Sequence, residues 1–171
     1  MFPRHAIALS SLFIGLAVAA LPRTALSGTL QKSLMTSPAN VCTGALPSYE
    51  GAIRKRPLAV ANEGTETAFV TCGSAWFKDE SNASYSIEMN FRNRNSSQVS
   101  FTCTGVNGSE TSGVTVYVPK TIVVPGLGTS LDVWFSSDGI STDRPFSVSC
   151  ALPPNVSIGN MYVSGPIEVG A

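Results

Sequence analysis

A period of two in the apolar residues is the strongest constraint on what this chain can fold into. In Tyr85-Ser-Ile-Glu-Met-Asn-Phe-Arg92, Tyr85, Ile87, Met89 and Phe91 alternate with Ser86, Glu88, Asn90 and Arg92, the signature of a half-buried strand. The alternation recurs in Val99–Cys103, Val114–Val118, Leu131–Phe135 and Phe146–Cys150, and more weakly over 57–62, 67–72, 121–125 and 157–163. Turn chemistry separates these runs: Asn62-Glu-Gly64, Arg94-Asn-Ser-Ser97, Asn107-Gly108, Pro125-Gly-Leu-Gly128, Ser137-Asp-Gly139 and Pro153-Pro-Asn155. No window of helical length keeps an apolar stripe clear of Gly, Pro or β-branched runs. Many short strands joined by such turns predict an all-β fold, a two-sheet antiparallel β-sandwich that is immunoglobulin-like or jelly-roll-like, with a closed barrel as the alternative.

Four cysteines, Cys42, Cys72, Cys103 and Cys150, add a covalent constraint. No C-x-x-C spacing occurs, so neither a thioredoxin-like redox site nor a zinc knuckle is indicated. Three connectivities are open. Joining Cys42 to Cys72 and Cys103 to Cys150 is preferred, because it closes each half of the chain on itself without crossing. Alternation turns Cys103 inward with Val99 and Phe101, and Cys150 inward with Phe146 and Val148. These are the surroundings of a disulfide rather than of a reactive thiol. The layout broadly resembles immunoglobulin-like sandwiches, but lacks their Trp placed between paired cysteines, and it implies no site.

The N-terminal stretch has Arg4 and His5 ahead of an apolar run from Ala6 to Ala20, followed by small and polar residues. This is the layout of a secretory signal peptide, expected over residues 1–27, with cleavage after Ser27 or, alternatively, after Ala20. The run is too short for a spanning helix, which needs roughly 20 apolar residues, so no membrane insertion is expected after cleavage. An extended polar lead-in is expected over 28–41 and a single domain over 42–171. The expected destination is outside the cytoplasm, periplasmic, cell-surface or extracellular, where disulfides persist.

Cleavage after Ser27 leaves nine basic against eleven acidic residues. A chain with that balance has no electrostatic drive toward nucleic acid, and Arg54-Lys55-Arg56 reads as a solvated turn before Pro57. The sole histidine, His5, leaves with the signal peptide. With it goes the usual general base for a serine or cysteine nucleophile. No cofactor is expected. The loop Ser136–Asp143 places Asp138 and Asp143 around Gly139 and offers the oxygen ligands of a calcium site, but without EF-hand spacing, so ordinary turn chemistry is the favoured reading.

Outward aromatics carry the remaining lead. If Leu131, Val133 and Phe135 point inward, Trp134 points outward beside Asp132. By the same rule Tyr117 points outward beside Thr115. On neighbouring strands the pair would make an aromatic platform with a polar rim, suited to a sugar ring or a protein contact. Trp76 reads as core packing next to a cysteine. Four N-x-[ST] sequons, at Asn82, Asn95, Asn107 and Asn155, fall in expected turns or strand edges where a glycan could be carried. The expectation is a non-enzymatic protein acting by surface contact, with a protein or a carbohydrate as partner. The alternatives are a carbohydrate-binding module using Trp134 and Tyr117, and a hydrolase working through a carboxylate pair.

Overall fold

A computed structural model describes residues 28–74, 85–109, 111, 113–141 and 144–169. Within them the chain forms eleven strands: β1 (Gly28–Thr36), β2 (Cys42–Gly44), β3 (Ile53–Arg56), β4 (Ala59–Asn62), β5 (Ala68–Gly73), β6 (Ser86–Asn93), β7 (Val99–Ser109), β8 (Val114–Val124), β9 (Thr129–Phe135), β10 (Phe146–Leu152) and β11 (Val156–Val169). They build two antiparallel sheets packed as a sandwich, ordered β3-β4-β11-β6-β9 and β2-β5-β10-β7-β8, with β1 added along β11. Both disulfides are present and join Cys42 to Cys72 and Cys103 to Cys150.

The period of two sorts the side chains. On β6, Ile87, Met89 and Phe91 are fully buried, and on β10 Phe146, Val148, Cys150 and Leu152 are buried likewise. The sheets meet through these rows. Phe91 of the first sheet stands edge-on to Phe101 of the second, with ring centroids 5.4 Å apart. Aromatic pairs prefer such T-shaped contacts. The cysteines lie on the inner rows of the second sheet only: Cys42 is directly opposite Cys72, and Cys103 directly opposite Cys150. Each disulfide therefore ties two neighbouring strands of one sheet, and neither bridges the sandwich.

Several local expectations are corrected. The lead-in at 28–36 is a paired strand, since every residue of β1 finds a partner between Met161 and Val169. Arg54-Lys55-Arg56 is strand β3, and the turn follows it at Pro57-Leu58. Asn107-Gly108 is no turn: β7 and β8 stay paired out to Ser109 opposite Val114. The runs 114–118 and 121–125 form one strand through Pro119. A sheet edge tolerates proline there, because the missing N–H faces no neighbour.

Three fully buried asparagines fasten the ends of the sandwich. The Asn93 side chain accepts the N–H of Asn95 at 2.9 Å and donates to the carbonyls of Ser97, Pro125 and Val124 at 2.8, 3.1 and 3.3 Å. Asn62 repeats the pattern, accepting from Gly64 at 3.0 Å and donating to Glu66 and Leu152, both at 2.8 Å. Asn107 accepts from Ser141 at 2.8 Å and donates to Ser141, Arg144 and Pro145, each at 3.1 Å. Each amide satisfies backbone groups that leave the ladder where the chain turns, which a buried corner requires.

Candidate functional site

The expected aromatic platform does not form. Trp134 is fully buried, whereas Leu131 and Phe135 are about half exposed, so the inward and outward rows of β9 are the reverse of those expected. The register shows why. Trp134 lies opposite Ile87, Asp132 opposite Met89, and Ser130 opposite Phe91, and all three partners are core residues of β6. The indole crosses the sandwich to Gly105 of β7, where an added Cβ would lie 2.8 Å from its Cδ1. Its Nε1 donates to the Val118 carbonyl at 3.1 Å, and its ring tilts against Phe146. Tyr117 does point outward, 67% exposed beside exposed Thr115, but on the other sheet, so it shares no face with Trp134.

Asp132 and Asp138 serve the rim where β8 and β9 run side by side as sheet edges. Lys120 sits on the inner row of β8 and reaches out to this rim. Its Nζ meets Asp138 Oδ2 at 3.0 Å, donates to the Val133 carbonyl, and lies 5.8 Å from the centroids of both Trp134 and Phe135. The Phe135 backbone N–H, helped by Lys120, holds the Asp138 carboxyl below its ordinary pKa. Burial raises that of Asp132 against the opposing effects of Ser130 and Lys120. Asp138 thus serves as the counter-ion of Lys120, while Asp143 lies outside the described residues. Among the described residues no three His, Cys, Asp or Glu side chains gather as metal ligands. Inward charges on edge strands also discourage strand-to-strand aggregation.

The sequons divide. Asn107 is buried with its amide nitrogen committed to three carbonyls, so it offers no glycan site in the folded protein, contrary to the sequence expectation. The amide nitrogen of Asn95 donates to Pro154 and that of Asn155 to Asn95 Oδ1. Asn82 and Trp76 lie outside the described residues.

A groove of about 530 Å³ crosses the outer face of the first sheet. Its floor comes from the outward rows of two neighbouring strands, Asn90 and Arg92 on β6 and Ser157 and Gly159 on β11. Pairing between β11 and β6 shifts register between Ile158 and Met161, and the bulge opens the floor at Gly159. Bulges are favoured next to binding sites because they re-aim the strand. The β3–β4 hairpin forms one wall through Pro57, Leu58 and Ala59, and Thr129 of β9 lies on the far side. That wall is anchored: Ser37 Oγ donates to the Pro57 carbonyl at 3.0 Å, and Arg56 Nε donates to Glu63 at 3.1 Å. Leu58 stands 75% exposed on it.

Sequence reasoning missed this site, and in hindsight two signals pointed to it. Arg92 closes the outward row of a clear strand, and Arg94 follows two residues on, just past its end. Gly159 interrupts a run of strand formers, a common mark of a bulge or of close approach.

No family model matches the sequence, and no curated protein matches it. Among solved structures, the chain is similar to a family 11 carbohydrate-binding module from Clostridium thermocellum in complex with a beta-1,3-1,4-mixed-linked tetrasaccharide. The identity is 12% and the TM-score 0.40, over 85% of this chain and 89% of that one. It is similar also to modules of endo-1,4-beta-D-xylanase 10B from the same organism complexed with xylohexaose, at 8% identity and TM-score 0.46, over 81% of this chain and 26% of that one. A third is the C-terminal family 22 carbohydrate-binding module of that xylanase, at 13% identity and TM-score 0.37, over 85% of each chain. These neighbours share the sandwich class of fold; at such identities and scores they assign no activity or ligand to this chain.

Proposed function

We propose that the protein is a non-catalytic carbohydrate-binding domain working outside the cytoplasm, with the groove on the outer face of the first sheet as its ligand site. The observation that carries this reading is the groove's lining: amide and hydroxyl groups from Asn90, Thr129 and Ser157 beside an exposed apolar wall at Leu58. A sugar chain presents the matching chemistry, rings with apolar C–H faces edged by hydroxyls that donate and accept. The volume suits a few sugar residues, within the range of roughly 300 to 1,000 Å³ usual for ligand sites. Guanidinium, amide and hydroxyl groups at the site suit holding a ligand rather than moving a proton.

Affinity electrophoresis of the protein through gels containing neutral and acidic polysaccharides tests the reading. Retardation by at least one polysaccharide is expected, with loss of it in Gly159→Leu. A Cβ at Gly159 meets only Asn90, at 3.4 and 3.5 Å, so this side chain fills the groove without displacing the core. Unretarded migration through every gel would overturn the proposal.

A further inference from the structure

We infer that the groove selects an acidic polysaccharide, a chain of uronate sugars, through the guanidinium groups of Arg92 and Arg94. The inference rests on the groove being a saccharide site.

Three arginines and no acidic residue line the groove, in a chain whose formal net charge is zero, so the groove is more basic than the chain as a whole. Arg56 has a partner: Nε and Nη2 both bind Glu63 Oε1, and Arg54 approaches the same carboxylate at 3.8 Å. Arg92 and Arg94 are exposed and form no ion pair with any described residue. Two residues apart along an extended segment, their Cα atoms are roughly 6.5 Å apart on the same side. Like charges at that spacing repel, and no described residue pairs with them.

The backbone beneath the two arginines is held in place. Asn93, between them, is the buried amide knot that binds Ser97, Val124 and Pro125, and the Arg94 N–H donates to the Asn155 carbonyl at 3.0 Å. Two unpaired forks on a fixed segment are pre-organised for carboxylates, which a guanidinium grips in plane by two parallel bonds. The surrounding lining selects among anions. Asn90, Thr129 and Ser157 add neutral donors and acceptors between the cations, and Glu88 on the same outward row of β6 lies beyond Asn90, on the side away from Arg92. A chain with one carboxylate per ring and hydroxyls between fits this mixture better than a densely sulfated one. Single-stranded nucleic acid would want exposed aromatic rings for its bases, and the side chains lining the groove supply none, Phe91 being buried.

The test compares polygalacturonate with its fully methyl-esterified form, which keeps the sugar backbone and loses the charge, and adds dextran sulfate and poly-glutamate. Dissociation constants are measured by titration calorimetry at low and high salt. Polygalacturonate is expected to bind at least tenfold tighter than the ester and to weaken with salt. Arg92→Gln with Arg94→Gln should abolish the preference while the melting temperature stays within a few degrees of the parent, and the double Lys variant should restore part of it. Equal binding of acid and ester, insensitive to both arginines but lost in Gly159→Leu, would overturn this inference and leave the saccharide reading standing. Equal or tighter binding of poly-glutamate or dextran sulfate would overturn it by showing that charge alone is read. Binding of none of the probes would overturn this inference, and the saccharide reading falls separately only if neutral polysaccharides are also not bound.

Discussion

The two sheets are built to opposite standards. The second carries both disulfides, each joining directly opposed residues, and its outward rows contain no charged side chain: Thr71 on β5, Ser147 and Ser149 on β10, Thr102 and Thr104 on β7, Tyr117 and Thr121 on β8. The first has no disulfide among the described residues, a bulge in its central strand, and an outward face with Arg92, Arg94, Glu88 and the groove. Threonine and serine on the second sheet satisfy strand propensity and solvation. Among the described strand pairs, the register shift lies in the sheet that carries the groove. On the proposed function, the second sheet is the scaffold and the first carries the ligand groove.

Breaking the link between the sheets should have the largest effect. Trp134 starts from the recognition sheet and ends on Gly105 of the scaffold, so Trp134→Ala should cost about 3 to 5 kcal/mol in urea unfolding. Gly105→Ala attacks the same contact from the other side by overpacking and should cost about 1 to 3 kcal/mol. If Gly105→Ala is neutral, the indole is not seated as described. Next come the disulfides. Under the chain-entropy model, replacing Cys103 and Cys150 by Ala, which opens a separation of 47 residues, should cost about 4 kcal/mol. Replacing Cys42 and Cys72, separated by 30 residues, should cost slightly less, about 3.5 kcal/mol. Polysaccharide binding at a temperature where the variants stay folded should survive in both, since the cross-links belong to the scaffold. Loss of binding in a folded disulfide variant would erase the division between the sheets.

The asparagine knots sharpen the comparison, because two of them flank the recognition sheet. Asn93→Ala leaves the Asn95 N–H and the carbonyls of Ser97, Val124 and Pro125 without the side chain that serves them, and should cost about 2 to 3 kcal/mol. It should also weaken ligand binding in the folded fraction, because the arginines on either side lose their fixed backbone. Asn107→Ala, at the far end of β7, should cost a similar amount of stability with ligand affinity unchanged. Equal effects on affinity from the two substitutions would show that the groove does not depend on local rigidity.

The sandwich was legible because strands paired on both sides within a sheet have one buried and one wet face, so a single parity of residues is apolar. That holds for Tyr85–Arg92 and Phe146–Cys150. It fails on β9, where both parities carry apolar residues. Leu131, Val133 and Phe135 look like the core row, yet Ser130, Asp132 and Trp134 face the other sheet, because an edge strand buries only its far end. Lys120 on the inner row of β8 misleads in the same way, since its long stem lets the ammonium reach the rim. Gly105, in the interior of a strand, was the residue from which the close approach of the indole could have been read. The groove was not legible as a cavity. Its wall comes from the Pro57-Leu58 turn, which sequence reading placed at the start of a weak strand over 57–62, and its lining comes from five separate strands and their connections.

The smallest expected effect concerns the rim, where two aspartates served by one lysine should move stability in opposite directions. The pKa of Asp138 is lowered, chiefly by the Phe135 N–H and then by Lys120, so its contribution is full above the ordinary value of 3.8 and is lost as pH falls through the depressed folded value. That of Asp132 is raised by burial, against Ser130 and Lys120, so the folded state holds its proton more tightly than the unfolded chain. Its destabilising effect is therefore full above the raised value and disappears as pH falls toward 3.8. The two windows lie on either side of 3.8 and do not coincide. Acidification from neutrality should then bring a small gain in stability followed by a loss. Asp132→Asn should remove the gain and raise neutral stability, and Asp138→Asn should lower neutral stability and flatten the acid limb. Both groups are partly solvated, so each change should stay below about 1 kcal/mol. Urea midpoints measured from pH 7 to pH 2.5 for the parent and the two variants decide it. Parallel shifts of both variants in one direction would mean that Lys120 does not partition between the aspartates as its geometry indicates.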